Sequence, residues 1–430
     1  MKKNTSKIFL LGLFLVLGMG SCSNPVYLNP STAAESQVTT DVNGLIALAN
    51  GMQYRYSIGR QSPGYTIITA SGLTTKELKV LNAGNTDEQN LSDGAGSVQA
   101  NNGIVSNLWA QTNIVKGNAD LIFNNLGNVA DPAVKSGLQA YASIYKALAI
   151  GTMATFWNNV VVETASPAKF VTRVDGLKAA ITLLESAAAA VSATPPSAYF
   201  TSRVVAGVDI ANTINALIAR YSLMVGDYDK ALAAAGKVDL TKKSQLNFDD
   251  VTRNPIFDAA LSNINVYQPL DLNMGLPVAL KPADADKRID FYFQSRVLAS
   301  GTYRGKGFFK ANTDAIPLYL PGEMQLIKAE AYAQKNDLVN AEKELNGVLT
   351  KTTDVWGVGA GLPAYSGDKT QAGFLTEIYR NRRIELFMSG LGIEDSRRFN
   401  RPTAERSRDF YPFPQSERDN NPNTPDNPAK

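Results

Sequence analysis

The sequence predicts an all-α fold: a tetratricopeptide-like helical repeat body with long ligand-facing loops and a small irregular or β insertion. Three observations carry that expectation. In residues 317–351, Leu320, Met324, Ile327 and Ala331 recur at the spacing that lines one helix face. After a break at Asn336-Asp337, Leu338, Ala341, Leu345, Val348 and Leu349 do the same. Asparagine tolerates the left-handed backbone that ends helices, so the chain reverses there. Residues 212–238 repeat this hairpin at an offset of 110 without a gap. Gly226-Asp227 falls on Asn336-Asp337, Ile214 on Met324, Leu217 on Ile327, Ala219 on Ala329, Ala231 on Ala341 and Val238 on Val348. Small residues where two helices cross, with Gly or Asn at the turn, make a tetratricopeptide-like unit. The third observation is that helical periodicity dominates the other segments.

Composition narrows the chemistry. A chain of 430 residues with 44% hydrophobic content buries a sizeable core. It has no histidine, which removes the commonest general base and neutral metal ligand. Its single cysteine excludes an internal disulfide and any cysteine-based zinc site. Lys2, Lys3 and Lys7 account for the net charge of +3, so the body is neutral and gives no electrostatic reason to expect nucleic acid.

Taken in order, the three lysines precede the apolar run 8–17, which is too short to span a bilayer, and Gly18-Met19-Gly20-Ser21 supplies small residues for a signal peptidase. Residues 1–21 therefore read as a lipoprotein signal peptide. Cys22 follows at once, in a context that resembles a bacterial lipobox, and is the expected lipidation site. Its acyl chains, at about 0.8 kcal/mol per buried CH₂, would anchor the protein to a membrane. Residues 22–40 read as a flexible tether with a reach of about 25 Å. Val42, Leu45, Ile46, Ala49 and Met52 predict a first helix in a region 41–240. Residues 61–103, rich in Gly, Asn, Ser and Thr, are expected as a long functional loop. Helices are predicted over 104–126, from Pro132 to residue 157 with Asp131 as cap, and over 174–191. The proline-bearing stretch 241–315 predicts an irregular insertion, with extended chain at Phe291-Tyr292-Phe293 and a hairpin through Gly301 to Gly307. The last region, 316–430, holds the second hairpin, a loop 352–373, a helix marked by Phe374, Ile378, Ile384 and Leu386, and a tail expected to run extended over the surface.

Asn381-Arg382-Arg383-Ile384-Glu385-Leu386, then Gly390 and Asp395-Ser396-Arg397-Arg398-Phe399, resembles the arginine and glutamate motif of SusD/RagB-like nutrient-binding outer membrane lipoproteins. Tyr411-Pro412-Phe413-Pro414-Gln415-Ser416-Glu417 with Asn421-Pro422 is similar to that family's closing signature. Trp109, Asn113, Asn118 and Phe156-Trp157-Asn158-Asn159 are looser matches. Where the family often has Glu-Gly-x-Arg, this chain has Ser389-Gly390-Leu391-Gly392, which removes an acid and a base together. The resemblance implies lipid anchoring in the outer membrane, exposure at the cell surface, and capture of glycan or peptide for a partner SusC-like TonB-dependent transporter. It implies no cofactor.

Acid pairs such as Glu330 with Glu342, or Asp284 with Asp286, carry no motif that fixes them for hydrolysis, and the acids of the repeat helices read as solvated faces. No catalytic residue and no metal ligand is expected. Arg382 and Glu385, three apart, are expected to pair within a structural ion network. Trp109 and Tyr145 read as core. Tyr65, Trp356 and Tyr365 stand off any periodic face among Gly and Asn, and with Asn85 and Asp87 they are the expected ligand-binding residues: aromatic planes beside amides and carboxylates suit a sugar. The competing reading is a helical-repeat scaffold lipoprotein that binds another protein and no small ligand.

Overall fold

The computed structural model describes residues 38–263 and 266–429. The signal peptide, Cys22 and nearly all of the tether lie outside the described residues. Helix α1 (Val42–Ser57) starts at Asp41, whose carboxylate accepts from the N–H groups of Asn43 and Gly44, and it buries Leu45, Ile46, Ala49 and Met52.

The loop expected over 61–103 is instead largely regular. Helix α2 (Pro63–Thr74) begins with the Ser62 hydroxyl accepting from Tyr65 N–H at 3.2 Å and with proline in its first turn. Strand β1 (Leu78–Val80) and helix α3 (Thr86–Asp93) follow. Helix α2 escapes a periodicity search because it is buried on nearly every side, with Thr66, Thr69, Ser71 and Thr74 inside as well as Ile68 and Leu73. Thr69 donates to the Tyr65 carbonyl one turn back at 3.1 Å, Thr74 shares a hydrogen bond with the Tyr411 hydroxyl at 2.7 Å and the Ser71 hydroxyl accepts from Ile393 N–H at 3.3 Å, so these small polar side chains are buried with partners.

Helices α4 (Gly103–Asn125), α5 (Pro132–Phe156) and α6 (Arg173–Ala193) lie where the sequence predicts them. Asp131 caps α5 through Ala133 N–H at 2.8 Å. Almost all of α5 is buried because α1, α2, α4, α6 and the first repeat helix surround it. Between α5 and α6 a small ladder pairs β2 (Asn159–Val161) with β3 (Phe170–Thr172).

The first hairpin is α7 (Ile210–Met224) with α8 (Tyr228–Ala235), the second α9 (Pro321–Gln334) with α10 (Leu338–Leu349). Both turns use a left-handed residue, Gly226 at φ 79° and Asn336 at φ 60°. Both second helices are capped alike: Asp227 accepts from Lys230 N–H at 3.1 Å and Asp337 from Asn340 N–H at 3.2 Å. The offset of 110 thus relates turns and caps as well as apolar positions, and α8 packs on α9 to set the hairpins side by side. In the insertion, β4 (Gln245–Leu246) pairs with β8 (Ile316–Pro317), β5 (Tyr267–Pro269) with β1, and β6 (Phe293–Val297) with β7 (Tyr303–Gly305). The last is the expected hairpin, but Tyr292 belongs to a helical turn, Arg288–Tyr292, so extended chain begins only at Phe293.

Helices α11 (Gln371–Glu385) and α12 (Gly392–Arg398) complete the body. The Arg382–Glu385 pair does not form. Arg382 meets Asp395 at 3.0 Å, Arg383 meets Glu77 at 3.1 Å, and Glu385 meets Lys351 at 2.6 Å and Arg288 at 3.1 Å. Each charge is buried and reaches a partner on another segment, because the helix interior puts tertiary ion pairs in competition with weaker local ones. Glu330 is no solvated acid either: it is buried against Arg398 at 2.6 Å. The tail departs from expectation too, since Tyr411 and Phe413 are fully buried rather than laid over the surface.

Candidate functional site

A polar groove runs along the N-terminal side of the body, where α1 turns into α2. Its outer part, about 520 Å³, is shallow and lined by Tyr54, Arg55, Arg60, Gln61 and Gln111. Its inner part, about 250 Å³, is lined by Tyr65, Asp87, Glu88, Asn107, Tyr267 and again Arg60 and Gln61. Arg60 and Gln61 therefore join the two. Arg60 is held there by Glu88 at 2.5 Å, with the arginine 47% and the glutamate 12% exposed. Asp87 accepts from the N–H of Gly103 at 2.9 Å, Asn107 donates to the Gln61 carbonyl at 3.0 Å, and Arg55 donates to Gln111 Oε1 at 3.2 Å. Beneath them the Tyr65 and Tyr267 hydroxyls share a hydrogen bond, and burial raises both phenols so that they stay protonated. Tyr54, 43% exposed, presents a ring at the outer end.

Of the residues singled out in the sequence, Tyr65 and Asp87 meet in this groove. Tyr65 does so from helix α2, nearly buried, so it offers no open ring face. Asn85 stands just before α3, away from the groove lining, and its amide nitrogen is buried without a partner. Trp356 packs edge-on against Phe308 at 5.7 Å under the Lys243 ammonium at 4.8 Å, and Tyr365 packs against Phe374 at 5.4 Å with its hydroxyl donating to the Asp368 carbonyl. These two rings sit in the 352–373 loop, remote from the groove in chain and in contacts. Arg60, Gln61, Glu88, Asn107 and Tyr267 went unnoticed. One signal was present: Arg60-Gln61 directly precedes the Ser62-Pro63 helix start, a place where side chains project from a fixed backbone.

A more enclosed crevice, about 100 Å³, opens between α2, α5, α7 and the turn at Phe387 to Leu391, with Phe308, Phe309, Leu318 and Leu320 in its wall. Its charged residues are already matched, Arg220 gripping Glu323 through two nitrogens at 2.6 and 2.7 Å. Most of the surface it offers is apolar, so it presents a sugar with fewer polar partners than the groove does. The groove is the better site.

Comparison with known proteins adds a likeness to this geometry. Residues 248–429 match the model of the SusD family. Solved SusD-family structures extend the likeness in fold over nearly the whole chain. NanU of Bacteroides fragilis has a TM-score of 0.70 at 12% identity, covering 93% of this chain and 99% of its own. A SusD superfamily protein from Bacteroides vulgatus ATCC 8482 has a TM-score of 0.68 at 14% identity, over 89% and 97%. A SusD-like carbohydrate binding protein from Bacteroides fragilis NCTC 9343 has a TM-score of 0.67 at 15% identity, over 90% and 99%. No curated protein matches the chain.

The SusD-like closing residues have a physical role here. Tyr411 donates its N–H to the Phe156 carbonyl at 2.8 Å, Trp157 Nε1 donates to the Pro412 carbonyl at 3.0 Å, and Trp109 Nε1 donates to Glu417 at 2.9 Å. Asn421 ties the other Glu417 oxygen, at 2.8 Å, to the Ala168 carbonyl, at 3.0 Å. In this chain Trp109, Phe156 and Trp157 on one side and Tyr411 to Asn421 on the other are thus two sides of one contact.

Proposed function

We propose that this protein is a non-catalytic, surface-exposed lipoprotein of the outer membrane. It captures glycan in the groove around Arg60 for import by a partner SusC-like TonB-dependent transporter. The observation that carries the reading is the groove itself: an exposed tyrosine ring, amides, and a charged donor and acceptor held at fixed positions on helix ends. A pyranose offers a C–H face for the ring and hydroxyls that both donate and accept for the rest. The match of residues 248–429 to the SusD family model and the solved structure described as carbohydrate binding support it. Tyr65 and Asp87 are kept as ligand residues, whereas Asn85, Trp356 and Tyr365 are assigned to support. The division into 41–240, 241–315 and 316–430 behind a signal peptide and tether is kept as the organisation serving this role. With Cys22 as the lipidated residue, the tether would hold the groove off the bilayer. Calorimetric screening of the mature protein against linear oligosaccharides and peptides tests the reading, with Tyr54→Ala as the site control. Saturable glycan binding weakened by that change supports it; binding of peptide alone, turnover of a glycan, or no ligand at all overturns it. Co-purification with a TonB-dependent transporter tests the partner.

A further inference from the structure

We infer that the groove selects an uncharged oligosaccharide, and that Glu88 and Asp87 exclude a carboxylated or sulfated ring from its inner end. This rests on the glycan reading above and adds the class of glycan. The inner pocket holds two carboxylates, Asp87 and Glu88, against one guanidinium, Arg60. That guanidinium is already engaged by Glu88 at 2.5 Å. Glu88 already neutralises that guanidinium, so an anionic ring drawn to the remaining N–H groups of Arg60 would lie beside the carboxylates of Asp87 and Glu88, a like-charge contact that solvent screens only in part. A neutral ring meets no such repulsion. One of its hydroxyls donates to Glu88 or to the Asp87 carboxylate while another accepts from Arg60, and the ion pair reads a diol as a matched donor and acceptor.

The length of the ligand follows from the same geometry. Ligand sites typically enclose about 300 to 1,000 Å³, and the inner part alone, at about 250 Å³, falls short of that. It shares Arg60 and Gln61 with the outer part, where Tyr54 offers its ring, so an extended ligand with more than one sugar that passes over those two residues reaches both. Arg55 stands in the outer part beside a neutral Gln111, so the exclusion of charge belongs to the inner ring.

The experiment is titration calorimetry of the mature protein with neutral linear hexasaccharides, their disaccharides, and an oligogalacturonate of six residues, repeated with Glu88→Gln and Tyr54→Ala. Expected are affinity for a neutral hexasaccharide at least tenfold above its disaccharide, and at least tenfold above the oligogalacturonate. Glu88→Gln should narrow the second ratio severalfold, and Tyr54→Ala should collapse the first. Equal or tighter binding of the oligogalacturonate overturns the inference and leaves the glycan reading standing. Neutral binding untouched by either substitution also overturns it, by placing the ligand elsewhere. Absence of all glycan binding removes the reading on which it rests.

Discussion

Lys116 is fully buried on α4, and replacing it with methionine should change how stability depends on pH. Its ammonium donates to the Val161 carbonyl at 2.5 Å. Burial, and then repulsion from Lys146, lower its pKa from the ordinary 10.5 to about 7, against the attraction of Asp120, Glu163 and Glu417. A tenfold change in an equilibrium constant is worth ~1.4 kcal/mol, so the charged form costs about 5 kcal/mol more in the fold than in the open chain. Between pH 7 and 10.5 the unfolded chain binds this proton and the folded protein does not, so stability rises with pH across that window. Relative to Lys116→Met, the native chain should gain about 3 kcal/mol between pH 6 and pH 9. Methionine is close in volume, and the orphaned Val161 carbonyl adds a loss of about 1–3 kcal/mol that does not vary with pH. Urea unfolding of both proteins at a series of pH values measures the difference, in which all other titrating groups cancel. A stability gap that stays constant from pH 6 to pH 9, or that moves the other way, would refute the reasoning.

Four further outcomes are expected from the packing. Arg288→Ala should cost about 3–5 kcal/mol by urea unfolding, because Asp286, at 2.6 Å, is left buried without its cation and Glu385, at 3.1 Å, keeps only Lys351. Lys281→Ala, removing an exposed pair with Asp284, should cost no more than about 1 kcal/mol. Gly226→Ala should lower stability by about 1–2 kcal/mol through backbone conformation alone, since an added Cβ meets nothing within 4 Å; a neutral result would mean that the turn relaxes out of φ 79°. Trp109→Phe keeps the aromatic cluster but frees Glu417, so limited proteolysis should cut the tail faster while far-UV circular dichroism of the body stays unchanged.

The repeat hairpins were legible because their second helices are buried on one side only, so Ala341 and Leu345 print the period on the sequence, and because their first helices, though buried on most sides, carry aliphatic residues such as Met324 and Ile327 there. Their left-handed turn residues and aspartate caps mark the ends with equal clarity. Helix α2 was illegible for the opposite reason: buried all round, it carries small hydroxyl residues where a core would ordinarily show aliphatic ones. The composition of 61–103 therefore read as loop. Ion pairing was half legible. The residue types of the Arg382 to Arg398 motif announce a network, but which acid meets which base depends on helix-to-helix placement that no spacing rule holds, so Glu385 was given the wrong partner. In the groove, Tyr65 and Asp87 stood out by type. Arg60, Glu88 and Tyr267 did not, because β5 and α3 come together with the α1–α2 corner only in three dimensions.

The clasp of residues 411–421 on α4 and α5 makes that part of the fold contingent on a segment synthesised long after it. Trp157 waits through 255 residues for the Pro412 carbonyl, and Trp109 through 308 for Glu417. A chain that emerges N-terminus first thus carries an unfinished aromatic socket formed by Trp109, Trp157 and Phe170 until Tyr411 to Glu417 arrive to fill it. Copies cut before Tyr411 would keep that socket open to proteases, whereas copies that carry the clasp hide it.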